Sequence, residues 1–318
     1  MPVTLEQARQ NTTDALDLSI IDEFRTNSLL ELITFDDVVN PAGGGATLTY
    51  GYRRLAELSD AAFRALNTEY TPSEVSTTRH TTDLKVLGGA FQIDRVLSNL
   101  GHAATNEVAL QMQQKVRAVQ AEFGNAVING DSAENEDSFD GLSKALTGSS
   151  TEITADAENF DWSDIAAEGA ALKILDELDE FLANLDDQPQ AIITNKRVIA
   201  KLRAAARRAN MYTREAGPRD TYFETYGGIR LIDAGKRAGS NEDVVPISGG
   251  KTDMYAVRFG LDAFHGVSTA GGNLVKTWAP DFASAGAVKT GEVELGPVGV
   301  VLKKTKAAAV VRDVNVGS

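Results

Sequence analysis

Three stretches of this 318-residue chain carry residue types that chemistry could use, and each departs from its motif at a decisive position. Gly249-Gly250-Lys251-Thr252 has the end of a phosphate-binding loop, in which backbone N–H groups cradle the phosphates and the Lys reaches their oxygens. That motif needs a further Gly at 245, where Val245 stands, and it lacks the flanking strand and helix; a surface turn remains. Asp131 to Asp140 is acidic enough to suggest calcium, yet an EF-hand needs an oxygen ligand at 133 and Gly at 136, where Ala133 and Glu136 stand. It reads as a solvated loop. Gly266-Val267-Ser268-Thr269 continues with Ala270 where a nucleophile elbow requires Gly. His80, His102 and His265 lie far apart without ligand-like spacing and read as surface or helix-end histidines. The pair Asp186-Asp187 falls in a loop and needs no acid–base explanation. With no Cys, disulfides, thiolate zinc sites and cysteine nucleophiles are excluded. No catalytic residue, metal ligand or cofactor is assigned.

The strongest local charge feature is a basic helix bearing Lys196, Arg197, Lys201, Arg203, Arg207 and Arg208. It reads either as the exposed face of an amphipathic helix or as a patch for nucleic acid or for acidic neighbours, of which acidic partners in adjacent subunits fit best. Over the whole chain, 45 acidic residues outweigh 31 basic ones, for a formal net charge of −14, and neither terminus carries a basic arm. Direct, high-affinity phosphate binding is therefore not expected. The first residues lack the basic start and apolar core of a signal peptide, and no apolar run reaches the roughly 18 residues of a membrane span. A soluble, cytoplasmic protein is expected.

Periodicity supplies the elements around these residues. Val108, Met112, Val116, Val119, Phe123 and Val127 recur at steps of three and four, which predicts one helix over about 101–128, roughly 40 Å long and striped on one face. Residues 1 to about 40 read as a polar arm with short helical pieces around Leu16, Ile20, Ile21 and Phe24, then Leu29 to Ile33; Pro41 and Gly43-Gly44-Gly45 mark a hinge. A polar two-stranded ribbon follows, with Leu48, Tyr50 and Tyr52 on one strand and Val75 to Asp83 on its return; Gly88-Gly89 is expected to end it, and Phe91 to Ile93 to lead into the long helix. So polar a ribbon cannot stand alone in water and is expected to lie on something else, plausibly a neighbouring subunit. Asp161-Trp162 opens a second helix striped by Ile165, Leu172, Leu175, Leu178, Phe181 and Leu182. Ala191 to Thr194 is a buried-type strand, Asn195 caps the basic helix after it, and Gly227 to Gly235, Asp253 to Gly260 and the C-terminal segment add further strands.

The arm, the ribbon, a long helix ending in INGDSAENEDSFDGL, the segment IITNKRVIAKLRAAAR and the closing VELGPVGVVLKKTKAAAVVRDV resemble, in that order, the tailed-phage major capsid proteins of the Hong Kong 97-like fold. The resemblance implies an α+β chain with an N-terminal arm at 1–42 and an extended loop at 43–88. It further implies a peripheral domain at 89–187 built on the spine helix, an axial α/β domain at 188–278, and C-terminal strands at 279–318 completing the peripheral domain. It also implies the function: hexamers and pentamers closing into an icosahedral shell around double-stranded DNA, in a virion assembled in the bacterial cytoplasm. A portal protein is implied as partner, with a separate scaffold or none, and with decoration proteins conceivable. DNA would be enclosed without sequence-specific binding. Contacts between subunits are expected from Arg53, Arg54, Glu57, Arg64 and Arg79 on the ribbon, from Asp131, Glu136, Asp137 and Asp140 on the acidic loop, and from Lys196, Arg197, Arg207 and Arg208 on the basic helix. Lys85 and Lys144 are conceivable crosslink donors, but no crosslink is predicted. An encapsulin-like compartment around a cargo enzyme is the alternative, disfavoured by the polar arm, and a soluble acidic enzyme stands third. Deleting Thr47 to Lys85 is expected to leave a folded subunit that forms no shells.

Overall fold

The computed structural model describes residues 32–38, 47–57, 61, 63–70, 76–98, 102–156, 158–210, 213–216, 222–269 and 275–317. The helical pieces expected up to Leu30 and the hinge at Pro41 and Gly43 to Gly45 lie outside them. The first described element is β1 (Phe35–Asp37), followed by a hairpin of β2 (Thr49–Glu57) and β3 (Ser76–Asp83), then β4 (Lys85–Asp94) and the short α1 (Arg95–Ser98). Next comes the long helix α2 (His102–Asn129), with α3 (Leu142–Leu146), β5 (Glu152–Thr154), α4 (Ala170–Ala183), β6 (Ala191–Thr194) and α5 (Lys196–Arg208). The rest is strand: β7 (Thr213–Ala216), β8 (Tyr222–Tyr226), β9 (Ile229–Asp233), β10 (Lys251–Val257), β11 (Phe264–Ser268), β12 (Val275–Trp278), β13 (Val288–Leu302) and, after one 3-10 turn, β14 (Ala308–Asn315).

β13 organises the first sheet. Along one side it pairs with β4, from Val288 against Asp94 to Val298 against Lys85. Along the other it pairs first with β12 and then with β11, whose far side takes β1 in parallel. Gly88 and Gly89 therefore do not end the ribbon; they lie inside β4, where a Cβ on Gly88 would stand 2.7 Å from the Val293 carbonyl oxygen. Close strand approach, and no turn, explains that Gly. α2 packs on β4 and β13 through the stripe read from the sequence: Val119, Phe123 and Val127 are buried, and Val108, Met112 and Val116 half-buried. Phe123 meets Phe35 and Phe139 at ring-centroid distances of 6.0 and 6.1 Å.

The second sheet runs β5-β14-β10-β6-β9-β8-β7. Its central strands are apolar on both faces because both are covered. Ile193, Tyr255, Val257 and Val310 face the core shared with α2, while Ile192, Met254, Ala256 and Val311 face the core under α4 and α5. Sheet membership also crosses the boundaries expected at 187/188 and 278/279. β14 sits beside β10 among strands of the 191–257 region, and β11 and β12 pair instead with β13. A sheet closes by hydrogen-bond register, which chain order alone does not reveal.

The helix expected from Asp161 starts instead at Ala170, behind Gly169 in the left-handed region at φ 77°. Asp164 accepts the backbone N–H of Ala166, a donor that a helix begun at Asp161 would commit to the Trp162 carbonyl, while Asp161 accepts that of Ser163 in a local turn. Trp162 is buried and donates its indole N–H to Glu177 at 2.7 Å. Ile174 fills the stripe place expected of Leu172, which is 59% exposed.

Candidate functional site

With every catalytic motif incomplete, the residues expected at subunit contacts define the region of interest, and the hairpin gathers the largest group of them. Its two-residue alternation sorts the side chains: Tyr50, Tyr52, Arg54, His80 and Thr82 face inward and are half-buried, while Arg53, Arg79 and Thr81 point outward. The inner face is seated on its own chain, which corrects the expectation that a neighbour supplies the support. Arg54 donates to the carbonyls of Leu302 and Lys303 at 2.5 and 3.2 Å, and the Tyr50 hydroxyl donates to Asp36 at 3.1 Å. Lys303 stands 5.4 Å from the Tyr50 ring centroid, and His80 stacks on Tyr52 at 5.5 Å. Beneath lies a small apolar core of Val38, Leu84, Val267 and Val301. Deleting Thr47 to Lys85 would strip this face bare, so that deletion damages the fold as well as the ribbon.

Arg53 and Arg79 are direct cross-strand partners on the outer face, a like-charge pairing that destabilises an isolated hairpin. The Glu57 side chain lies outside the described residues. At the tip, Phe63, Leu66 and Tyr70 are 109%, 91% and 64% exposed, with the Arg64 guanidinium 5.2 Å from the Tyr70 ring. Arg64 also donates to the Thr68 carbonyl at 3.1 Å, so it shapes the tip from within.

The acidic loop is ordered by its own carboxylates. Asp140 accepts from the Ser132 backbone and hydroxyl at 2.9 and 2.7 Å, and Asp131 accepts from Ala133 and from Lys144 at 2.8 and 2.7 Å. The Lys144 ammonium, then the Ala133 N–H, holds the Asp131 carboxyl below its ordinary pKa. Glu136 and Asp137 are left pointing outward, and Lys85 donates to the Glu136 carbonyl at 2.5 Å. The loop pinches shut where Gly130 and Gly141 cross: a Cβ on either would fall within 2.6 Å of a carbonyl oxygen.

Much of the basic helix is engaged inside the subunit. Arg203 pairs with Glu224 at 2.7 Å, Lys201 donates to the Ser163 carbonyl at 2.8 Å, and Arg208 donates to that of Ile165. Lys196, Arg197 and Arg207 are exposed. The cap reads as expected, with Asn195 accepting from Arg197 and Val198. Its amide also donates to Thr252 at 2.6 Å, so the Gly-Gly-Lys-Thr segment is a turn entering β10. His265 corrects the surface reading: it lies mid-strand in β11, fully buried, under Tyr50. The His102 side chain lies outside the described residues. Among those residues, no three His, Cys, Asp or Glu side chains converge on a metal-sized site, and no helix is long and apolar enough to cross a membrane. The hairpin's seat escaped sequence reasoning because the acceptors of Arg54 are backbone carbonyls, which carry no side-chain signal; the alternation of Tyr50 and Tyr52 was the available hint.

No protein-family model and no curated protein sequence matches the chain. Solved structures do match over its whole length. An encapsulin complex from Synechococcus elongatus is similar with a TM-score of 0.62 and 15% identity, over 100% of this chain and 98% of that one. The capsid of a native GTA particle gives 0.61 and 13% over 94% of each chain, and Mycobacterium phage Bobi gives 0.59 and 13% over 98% and 99%.

Proposed function

We propose that this chain, which has the Hong Kong 97-like fold of these shell structures, is the major capsid protein of a tailed bacteriophage. Copies assemble into hexamers and pentamers of an icosahedral shell around double-stranded DNA. The observation that carries the reading is a hairpin fixed at its root by its own subunit and presenting Phe63, Leu66 and Tyr70 to solvent at its tip. Such a patch marks an interaction site, and repeated over a closed lattice many modest contacts sum to a stable wall. A net charge of −14 suits a container filled by a motor, since the wall then need not grip phosphate. The virion is the expected location, with a portal among the partners.

An encapsulin-like compartment is the second reading, favoured by the full-length likeness to an encapsulin. Expressing the protein with and without its neighbouring genes and imaging it by negative-stain electron microscopy tests both. Closed shells are expected; a protein that stays monomeric under every condition overturns both readings. Shell contents then separate them: packaged DNA supports the phage reading, and a co-purifying enzyme the compartment.

A further inference from the structure

The first sheet has two covered faces. One rests on α2; the other is covered by the hairpin root, and on that second face stands His265. The ring is fully buried, edge-on to Tyr50 at a centroid distance of 6.0 Å, and neither ring nitrogen has a hydrogen-bond partner. A neutral imidazole tolerates that site at modest cost, whereas an imidazolium would bring an unpaired charge into it. We propose that His265 is a proton-sensitive latch, holding the hairpin root seated while neutral and unseating it when protonated.

The charges facing the ring from each packed element support this. Lys303, just beyond β13 and poised over Tyr50, faces the ring, and Arg54 and His80 stand along the same hairpin root, both against Tyr52. Two carboxylates stand against these cations, and both are engaged. Asp36 on β1 accepts the Tyr50 hydroxyl, and Asp262, before β11, pairs with Arg258 at 2.6 Å. Burial, followed by Lys303, pushes the His265 pKa down, while the Ala263 backbone and the Asp36 and Asp262 carboxylates pull the other way. His80 is pushed down too, by burial and then Arg54, so a second proton would add charge at the same root. The sign follows. An unseated His265 titrates near its ordinary value of about 6.5, so the preference for seating is complete above that pH and is lost as pH falls toward the depressed value.

Hydrogen exchange on the full-length subunit, corrected for intrinsic rates, tests the latch between pH 7.5 and 5. Amide protection in β2 and β3 is expected to drop about tenfold for each pH unit below 6.5 until the depressed value is reached, while β10 and β14 hold theirs. His265→Phe, which fills the site without titrating, is expected to shrink the drop to the smaller part that His80 alone supplies. Unchanged protection in the natural protein, or the same drop in His265→Phe, overturns the proposal. Should that variant fail to fold, proton NMR of the natural histidines decides: a buried ring that titrates near 6.5 while the hairpin stays protected also overturns it.

Discussion

The Asn195 carboxamide works in two directions at once. Its oxygen accepts the N–H groups of Arg197 and Val198 at the head of α5, and its nitrogen donates to Thr252 and to the Val245 carbonyl, all but out of water. Replacement by Ala removes a cap worth about 1 kcal/mol and strands buried partners at about 1–3 kcal/mol, so denaturant unfolding of Asn195→Ala should register a loss of about 2–4 kcal/mol. Tyr255 gives a different handle. Burial above all, then Asp253, pushes its phenol up to about 12. The folded state therefore favours the protonated phenol. Its contribution is complete below the ordinary pKa near 10 and is lost as pH rises toward 12. Thermal unfolding midpoints should fall across that alkaline window, and fall less in Tyr255→Phe. At this scale the sequence was legible where a side chain acts on its own neighbourhood, as Asn195 does. It was opaque for His265, whose burial depends on strands and a ribbon far away in the chain.

Among the elements, α2 could be read to within a residue, because a stripe recurring every three or four positions has one explanation and no proline interrupts it. α4 could not, since Asp164 binds the Ala166 N–H, which a helix begun at Asp161 would commit to its own ladder. β4 was misjudged at Gly88-Gly89 because close approach and turning call for the same residue. The crossing at Gly130 and Gly141 is the sharpest test of element packing. Gly141→Ala would place its methyl 2.6 Å from the Ala126 carbonyl oxygen and 2.8 Å from the Gly130 nitrogen. Backbone cannot yield as a side chain does, so the substitution should cost at least about 1–3 kcal/mol in chemical unfolding. It should also speed exchange of the loop amides from Ser132 to Asp140.

For the molecule as a whole, the proposed function puts stability and assembly in separable parts. The tip makes few contacts with its own subunit, so Phe63→Ser combined with Leu66→Ser should leave the subunit's unfolding free energy within about 0.5 kcal/mol. The same protein should form no closed shells in negative-stain images; normal particles would remove the tip from the assembly surface. The fold class was legible from the order of elements, but the sheet that joins β14 to β10 was not, because pairing between distant strands leaves no local trace. One long pairing also sets a timetable. β4 waits about two hundred residues for its partner in β13, and the carbonyls that seat Arg54 belong to Leu302 and Lys303, just beyond the same strand. Contacts so distant along the chain close slowly. A ribosome that has released β2 and β3 has made a ribbon with nowhere to rest, and it gains its seat only when nearly all of the described chain has emerged. Translation thus orders events: if the chain builds a shell as proposed, the half-made polypeptide cannot aim its ribbon at a growing wall, and only finished subunits qualify as bricks.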